Sequence, residues 1–232
     1  MTTGTIDPLV ERYLAFNKAR TGVDMKIIPK ETSKLLKTVG WLFRVTKINP
    51  GFMDHYITTL GDTIYIPEKL MGMDRLQLLG IVRHECFHGR DEKNHPYTYK
   101  LAYMLPQALS LLSVLALLTP VLHNSYLLLS LLFLVFLAPI PSFGRYIIEL
   151  RAYRNQIMLG ELVFGYSPAE MQQTKEFICK QLTTSLYYFA WPFPDKVMKD
   201  ISEYINWETN PEYKDFYEFL KTENLLLIKP IT

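Results

Sequence analysis

The spacing of apolar and polar residues predicts a helix-rich α+β fold that is interrupted once by a long uncharged stretch. Residues 7 to 20 have the apolar period of a first helix. Three runs rich in β-branched and aromatic residues follow, with the sequences KIIP, WLFRVTKIN and HYITTLGDTIYIP. Because prolines and a Leu-Gly-Asp turn separate these runs, we expect a small sheet with residues 63 to 66 as its last strand.

A capped amphipathic helix is predicted after this sheet. Asp74 followed by Gln77 has the form of a capping box, and the helix should run from about residue 75 to 89. Helical spacing places four residues on one face: Gln77, Ile81, His84 and His88. Another face, which can pack on the sheet, has four apolar residues: Leu76, Leu79, Val82 and Cys86. Both histidines are therefore expected to point away from the main packing stripe.

No charged residue occurs from Leu101 to Gly144, and a TPVLHNS turn divides this stretch into two apolar arms. Each arm is close to the roughly 20 residues that a bilayer-spanning helix needs. Basic residues flank both sides: Arg90, Lys93 and Lys100 before the stretch, and Arg145, Arg151 and Arg154 after it. By the positive-inside bias we expect a transmembrane or re-entrant hairpin in the lipid bilayer, with both ends facing the cytoplasm. The alternative is a pair of long core helices that a soluble oligomer buries.

The chain after the hairpin is predicted to be helical. RYIIELRAYRNQIM continues out of the second arm, and a further helix begins with Ser167 as N-cap and Glu170 completing a capping box. Two short helices, at about 195 to 206 and 211 to 222, follow Pro194.

The amino-acid composition argues against several classes of function. With 25 basic and 23 acidic residues the net charge is +2, which argues against nucleic acid as a partner. The two cysteines, Cys86 and Cys179, lie far apart and predict no disulfide framework, which fits a reducing compartment. The N-terminal residues do not have the pattern of a secretory signal.

The sequence HECFH has the form H-E-x-x-H, which points to zinc chemistry. His84 and His88, one helical turn apart, can both bind one Zn2+ ion, and Glu85 would then stand beside its open position. We expect a zinc-activated water to attack a peptide carbonyl, with Glu85 as general base. The alternative is a solvated helix face that carries two unconnected histidines.

A catalytic zinc site needs a third protein ligand. We favour Glu149, because both arms of the hairpin return the chain to the same membrane face and can bring its helix back to the first. Glu161 is the reserve candidate. The alternative for Glu149 is an ordinary interfacial glutamate paired with Arg145 or Arg151.

The order of strand IYIP, a helix with HECFH, two apolar arms and IIELRAYRNQ resembles the integral-membrane gluzincin metalloproteases of the heat-shock protease X and CAAX prenyl endopeptidase group. In that family, H-E-x-x-H is followed by a membrane hairpin and then by E-x-x-A-D. The resemblance covers about residues 55 to 160 and implies Glu149 as a zinc ligand, since residues 149 to 152 fit E-x-x-A. Tyr153 stands where the family has an aspartate that helps to orient the site. The beta-lactam sensor metalloproteases are a more distant comparison.

Three domains are therefore expected. Residues 1–100 would form a zincin-like small sheet plus the active-site helix, residues 101–144 the inserted two-helix membrane hairpin, and residues 145–232 a helical part with the third zinc ligand. The predicted function is a membrane-associated zinc metalloendopeptidase acting on protein or peptide substrates at the cytoplasmic face. The alternative is a catalytically impaired zincin-like membrane protein with a structural or partner-binding role.

Substrate-binding groups are predicted less closely by the sequence. The strand formed by Thr63, Ile64, Tyr65 and Ile66 could be a sheet edge to which an extended substrate adds, or a plain core strand. Tyr153, Arg154, Tyr146 and His95 are candidate donors to an oxyanion, and the spacing does not select among them. Cys86 is interpreted as a packing residue.

Overall fold

The computed structural model describes residues 6–45, 47, 50–138, 140–184 and 190–227, which belong to two compact units. The described chain up to His95 forms the first unit together with the part from Asn206 onward, and Pro96–Ile205 form the second. Helices predominate, and a small three-stranded sheet accompanies them, which confirms the predicted α+β class.

The regular elements of the described chain have the following bounds. The strands are β1 Lys26–Pro29, β2 Thr58–Leu60 and β3 Thr63–Ile66. The α-helices are α1 Pro8–Thr21, α2 Lys34–Val45, α3 Phe52–His55, α4 Arg75–Asn94, α5 Pro96–Met104, α6 Thr119–Leu122, α7 Phe143–Leu159, α8 Pro168–Thr183, α9 Pro194–Ile201 and α10 Lys214–Thr222. Four segments are 3-10 helices: Lys30–Thr32, Glu68–Leu70, Gln107–Leu118 and Ser125–Leu137. Residues Gly160–Phe164 extend α7 as a π-helix.

Side-chain caps start several helices where the sequence predicts them. The Asp74 carboxylate accepts hydrogen bonds from the backbone N–H groups of Leu76 (2.9 Å) and Gln77 (3.2 Å), so α4 begins at the predicted residue. Ser167 and Glu170 form a complete capping box at the start of α8. These caps satisfy N–H groups that the first turn of a helix leaves without a partner.

The sheet of the first unit has the strand order β1-β3-β2. β1 pairs with β3 in parallel, and β2 pairs with β3 antiparallel. Of the two alternatives for residues 63 to 66, the core strand is confirmed and the sheet edge is wrong, because β3 is the central strand and its backbone is bonded on both sides. Within the described sheet, the edges are β1 and β2.

The run WLFRVTKIN is not the strand that its aromatic and β-branched residues predict. Its first five residues end α2, while Thr46, Ile48 and Asn49 lie outside the described residues. Leu36 and Gly40, one helical turn apart, are buried on the inner face of α2. The Phe43 ring packs edge-on against Phe52 of α3 at 5.2 Å. Tertiary packing at helical spacing thus overrides the local β propensity.

A buried arginine next to the first motif histidine joins distant parts of the first unit. The Arg83 side chain is 2% exposed and lies over the rings of Phe87 and Phe216, at 5.0 and 5.3 Å from the ring centroids. It donates hydrogen bonds to the Tyr13 hydroxyl (3.3 Å) and to the Glu212 carbonyl (3.0 Å). α4 is thereby fixed against α1 and against the chain that leads into α10.

In the second unit, α5 and α7 approach each other closely at a glycine. A Cβ atom on Gly144 would lie 2.5 Å from the Ala102 carbonyl oxygen, so only glycine fits there without a shift. The Tyr146 ring on α7 stacks on Trp191 at 5.7 Å, and its hydroxyl donates to the Asp200 carboxylate at 2.6 Å. These contacts hold α7 between its neighbours in this unit.

The uncharged stretch forms two antiparallel arms that pack on each other in the second unit. The arms are the 3-10 helices Gln107–Leu118 and Ser125–Leu137, where the sequence predicts α-helices, and the left-handed residue His123 (φ 49°) turns the chain between them. Pro139, within the predicted hairpin, lies outside the described residues. Within the described ranges no individual helix meets the length and hydropathy of a membrane span; α5 and Gln107–Leu122 meet them only together, as a pair bent by 85°.

Candidate metal centre

The two motif histidines lie side by side on α4. Their Nε2 atoms are 3.1 Å apart, and the ring centroids are separated by 4.8 Å with an interplanar angle of 75°. The side chains of His84 and His88 are only 6% and 7% exposed, because α4 is packed on most of its circumference. The alternative of a solvated helix face with two unconnected histidines is therefore wrong, and the two rings form a buried pair.

Glu149 completes a group that could hold a metal ion. One ligand atom from each of His84, His88 and Glu149 lies within 4.8 Å of the others, and all three residues are buried. Glu149 lies on α7 and is 1% exposed. This is the combination that the sequence predicts, whereas the reserve candidate Glu161 does not belong to the group.

The geometry of the histidine pair suits a shared metal. Zinc–nitrogen bonds of about 2.0–2.1 Å in a tetrahedron separate two ligand nitrogens by about 3.4 Å. The observed 3.1 Å between the Nε2 atoms is near that value. It also suits a hydrogen bond between one protonated and one unprotonated imidazole nitrogen. The donor set of two imidazoles and one carboxylate is the one that open zinc sites use, so the residues present fit zinc.

Tyr103 positions the carboxylate of Glu149. The Tyr103 hydroxyl on α5 donates a hydrogen bond of 2.7 Å to Glu149 Oε1. A ligand carboxylate that is oriented by a second side chain keeps a defined direction for its remaining lone pairs. Tyr103 was not predicted from the sequence, since the two residues are 46 positions apart and no local pattern connects them.

Glu85 is held from the sheet rather than from its own helix. The Thr59 hydroxyl on the edge strand β2 donates a 2.6 Å hydrogen bond to Glu85 Oε2. Glu85 lies between His84 and His88 in sequence. Unlike these two buried residues it is partly exposed, so its carboxylate can be reached from solvent. Thr59 was also missed, because a threonine in a strand is too common to be singled out.

The other predicted site residues have different surroundings. Tyr153 is buried on α7, one helical turn beyond Glu149 and therefore on the same side of that helix. The Arg154 guanidinium donates hydrogen bonds to the Asp200 carbonyl (2.6 Å) and to the Glu203 carboxylate (2.9 Å). These bonds direct Arg154 to the end of α9, and the structure does not place it in the ligand group.

The remaining candidates also have defined positions. The Tyr146 hydroxyl is bonded to Asp200, and burial raises the pKa of this phenol well above its ordinary range. His95 is exposed and caps the end of α4 through its backbone N–H. Cys86 is completely buried, and burial raises the pKa of its thiol to about 12. Cys86 is therefore a neutral thiol in the core, as its interpretation as a packing residue requires.

Comparisons with protein-family models, with curated proteins and with solved structures gave no match.

Proposed function

We propose that the chain is a membrane-associated zinc metalloendopeptidase in which His84, His88 and Glu149 hold the metal and Glu85 is the general base. The observation that carries this proposal is the buried group of two imidazoles and one carboxylate. The Nε2 atoms of the histidine pair lie 3.1 Å from each other. A structural core rarely buries three such groups together, because each loses its hydration.

The donor set favours zinc over calcium and magnesium. Calcium and magnesium take oxygen ligands, usually six or more for calcium, whereas this group contributes two nitrogens and one carboxylate. Structural zinc sites are closed by four protein ligands, and sites with three leave a position for water or substrate. A zinc ion held there would act as a Lewis acid on a water molecule and on a carbonyl oxygen.

Glu85 has the position and the support that a general base needs. It follows His84 directly on α4, which is the place of the general base in the H-E-x-x-H motif. The bond from Thr59 occupies Oε2 and leaves Oε1 to accept a proton from an attacking water. The same oxygen can then deliver that proton to the leaving amine nitrogen, which completes hydrolysis of a peptide bond.

The membrane part of the proposal is supported by the surface of the hairpin. Large apolar side chains on both arms are exposed: Leu111, Val114, Leu117, Leu129, Leu132 and Val135. An arm of 12 residues in 3-10 conformation rises about 24 Å, and the four residues of α6 add about 6 Å, close to a bilayer core of about 30 Å. The basic flanks before and after the hairpin support a cytoplasmic location of its two ends.

Metal analysis and peptide hydrolysis by the full chain in detergent test this function. We expect one zinc per chain in the wild type and a weakened site in Glu149→Gln, whereas the matched change Glu161→Gln should leave zinc content unchanged. Glu85→Gln should retain zinc and lose peptide hydrolysis by a factor on the order of 100 to 10,000. Undiminished hydrolysis in Glu85→Gln would overturn the mechanism, and full zinc occupancy in Glu149→Gln would remove the third ligand.

Two further outcomes concern Tyr153, which stands where the resembled family has aspartate. A wild type that binds zinc but cleaves no peptide would favour the catalytically impaired zincin-like protein with a structural or partner-binding role. If Tyr153→Asp then produces hydrolysis that depends on Glu85, the impairment lies at this residue.

If Thr59→Val lowers the turnover rate while Thr58→Val does not, the orienting bond to Glu85 contributes to the reaction.

A further inference from the structure

The outward face of α2 carries an apolar ridge that is exposed in the described part of the chain. Four large apolar side chains are exposed on this helix: Leu35 (61%), Trp41 (64%), Leu42 (49%) and Val45 (60%). At 100° per residue these positions fall within an arc of about 120°. The inner face, with Leu36 and Gly40, is buried on the opposite side. Among the described residues, α2 therefore has two apolar faces, one buried and one exposed.

Basic residues flank the exposed ridge. Residues 34 to 47 contain four positive charges and no acidic residue: Lys34, Lys37, Arg44 and Lys47. All four are exposed. Lys37 and Arg44, two turns apart, follow one edge of the ridge, and Lys34 stands at its N-terminal end. Long basic side chains of this kind can extend their charged ends beyond an apolar contact.

We infer that α2 is an interfacial helix that docks on an anionic lipid surface. A short helix with tryptophan and leucine on one face and lysine and arginine beside it lies in the plane of a bilayer, with its apolar side chains below the headgroups. Trp41 has the amphipathic ring that is enriched at this depth. Anionic headgroups complement the four positive charges.

Charge decides between a lipid surface and a second copy of this chain. In a two-fold symmetric contact between two α2 ridges, the basic residues of one chain would face the same basic residues of the other chain. Four like charges on each side, held at close distance, would repel each other. A bilayer containing anionic lipids offers the opposite charge together with an apolar interior. It therefore satisfies both features of the helix at once.

This surface is independent of the proposed metal site and of the hairpin. α2 lies in the first unit, and neither the histidine pair nor Glu85 belongs to it. Substitutions in α2 should therefore leave zinc content and the hydrolysis of a soluble peptide unchanged. A failure of the lipid proposal would leave the metalloendopeptidase proposal as it is, and the reverse also holds.

The test uses the full chain with a solvent-sensitive fluorophore on Leu35→Cys. Cys86 and Cys179 are buried, so the label attaches to the introduced thiol. The chain is reconstituted in phosphatidylcholine vesicles with and without phosphatidylserine. We expect a blue-shifted emission, quenched by lipids brominated on their acyl chains, only when phosphatidylserine is present. High salt should reverse the shift, because the attraction is screened. The matched control Leu60→Cys, at an exposed position of β2, should report water in both vesicles.

Charge variants measure how much the basic residues of α2 contribute to lipid binding. Each basic residue at an anionic surface contributes roughly fivefold to the binding constant, so Lys37→Gln with Arg44→Gln should lower the ratio of lipid-bound to water-exposed label by about 25-fold. The same change on α10, Lys214→Gln with Lys221→Gln, serves as control and should have no effect. A label that stays in water in anionic vesicles, or shifts equally in neutral ones, would overturn the proposal. A shift that depends on protein concentration without lipid would assign the ridge to a second copy instead.

Discussion

Lys30 is a completely buried cation whose removal should change how stability depends on pH. Its ammonium group donates hydrogen bonds of 2.7 Å each to the carbonyl oxygens of Phe52 and Tyr56, and it lies 3.6 Å from the centroid of the Phe52 ring. These contacts fix the chain just before β2, the strand that presents Thr59 to Glu85. Burial lowers the pKa of Lys30 from 10.5 to about 8.

The direction in which the unfolding free energy changes with pH follows from the protons bound by Lys30 in the folded and unfolded states. Between pH 8 and 10.5 the unfolded chain keeps its proton on Lys30 while the folded chain loses it, so the free energy of unfolding rises with pH. One pH unit is worth about 1.4 kcal/mol when a full proton is exchanged. Because protonation changes gradually, the gain between pH 8 and pH 10 is about 2 kcal/mol.

Denaturant titrations in a non-ionic detergent measure this effect. The perturbation is Lys30→Met, and the measured quantity is the difference in unfolding free energy between wild type and variant at pH 7, 8, 9 and 10. Taking the difference cancels other groups, such as Tyr13, whose pKa burial raises. The control Lys93→Met removes an exposed lysine that also donates to two carbonyls, at 2.7 and 3.3 Å. A difference that stays constant from pH 8 to 10 for Lys30→Met would refute the reasoning.

Three other predictions concern the second unit. Tyr103→Phe removes the hydroxyl that orients the carboxylate ligand and should weaken zinc binding about 10- to 100-fold in competition with a chelator; unchanged affinity would argue against this support. Gly144→Ala places a Cβ against the Ala102 backbone and should lower the unfolding free energy by about 1–3 kcal/mol, whereas Gly72→Ala, with open space around it, should show no clash. Ser167→Ala removes an N-cap and should cost about 1 kcal/mol in the same assay; an unaltered unfolding midpoint would contradict the role of the cap.

Local signals in the sequence predicted the starts of helices and the histidine pair. Asp74 and Ser167 satisfy N–H groups within three residues of themselves, so their effect can be read without a fold. The histidine pair follows in the same way, since helical periodicity alone brings positions four apart together. These features depend only on residues close together in the sequence. They could therefore be predicted without knowledge of the tertiary contacts.

The strand order and α2 depended on distant contacts and were not recovered. β3 is central because β1 pairs with it in parallel after a long connection, and no pattern inside residues 63 to 66 records that pairing. α2 has exposed apolar residues that made it look like a strand with two apolar sides. Thr59 and Tyr103, which orient Glu85 and Glu149, are likewise defined by pairs 26 and 46 residues apart.

The buried guanidinium of Arg83, next to His84 in sequence, affects when α4 can complete its contacts during synthesis. Glu212, whose carbonyl accepts from Arg83, follows it by 129 residues. At about 5–20 residues per second of synthesis, that acceptor leaves the ribosome on the order of ten seconds after α4. The bond that ties α4 to the later chain can form only then, so a nascent chain carries its histidines for seconds before their helix is fully anchored.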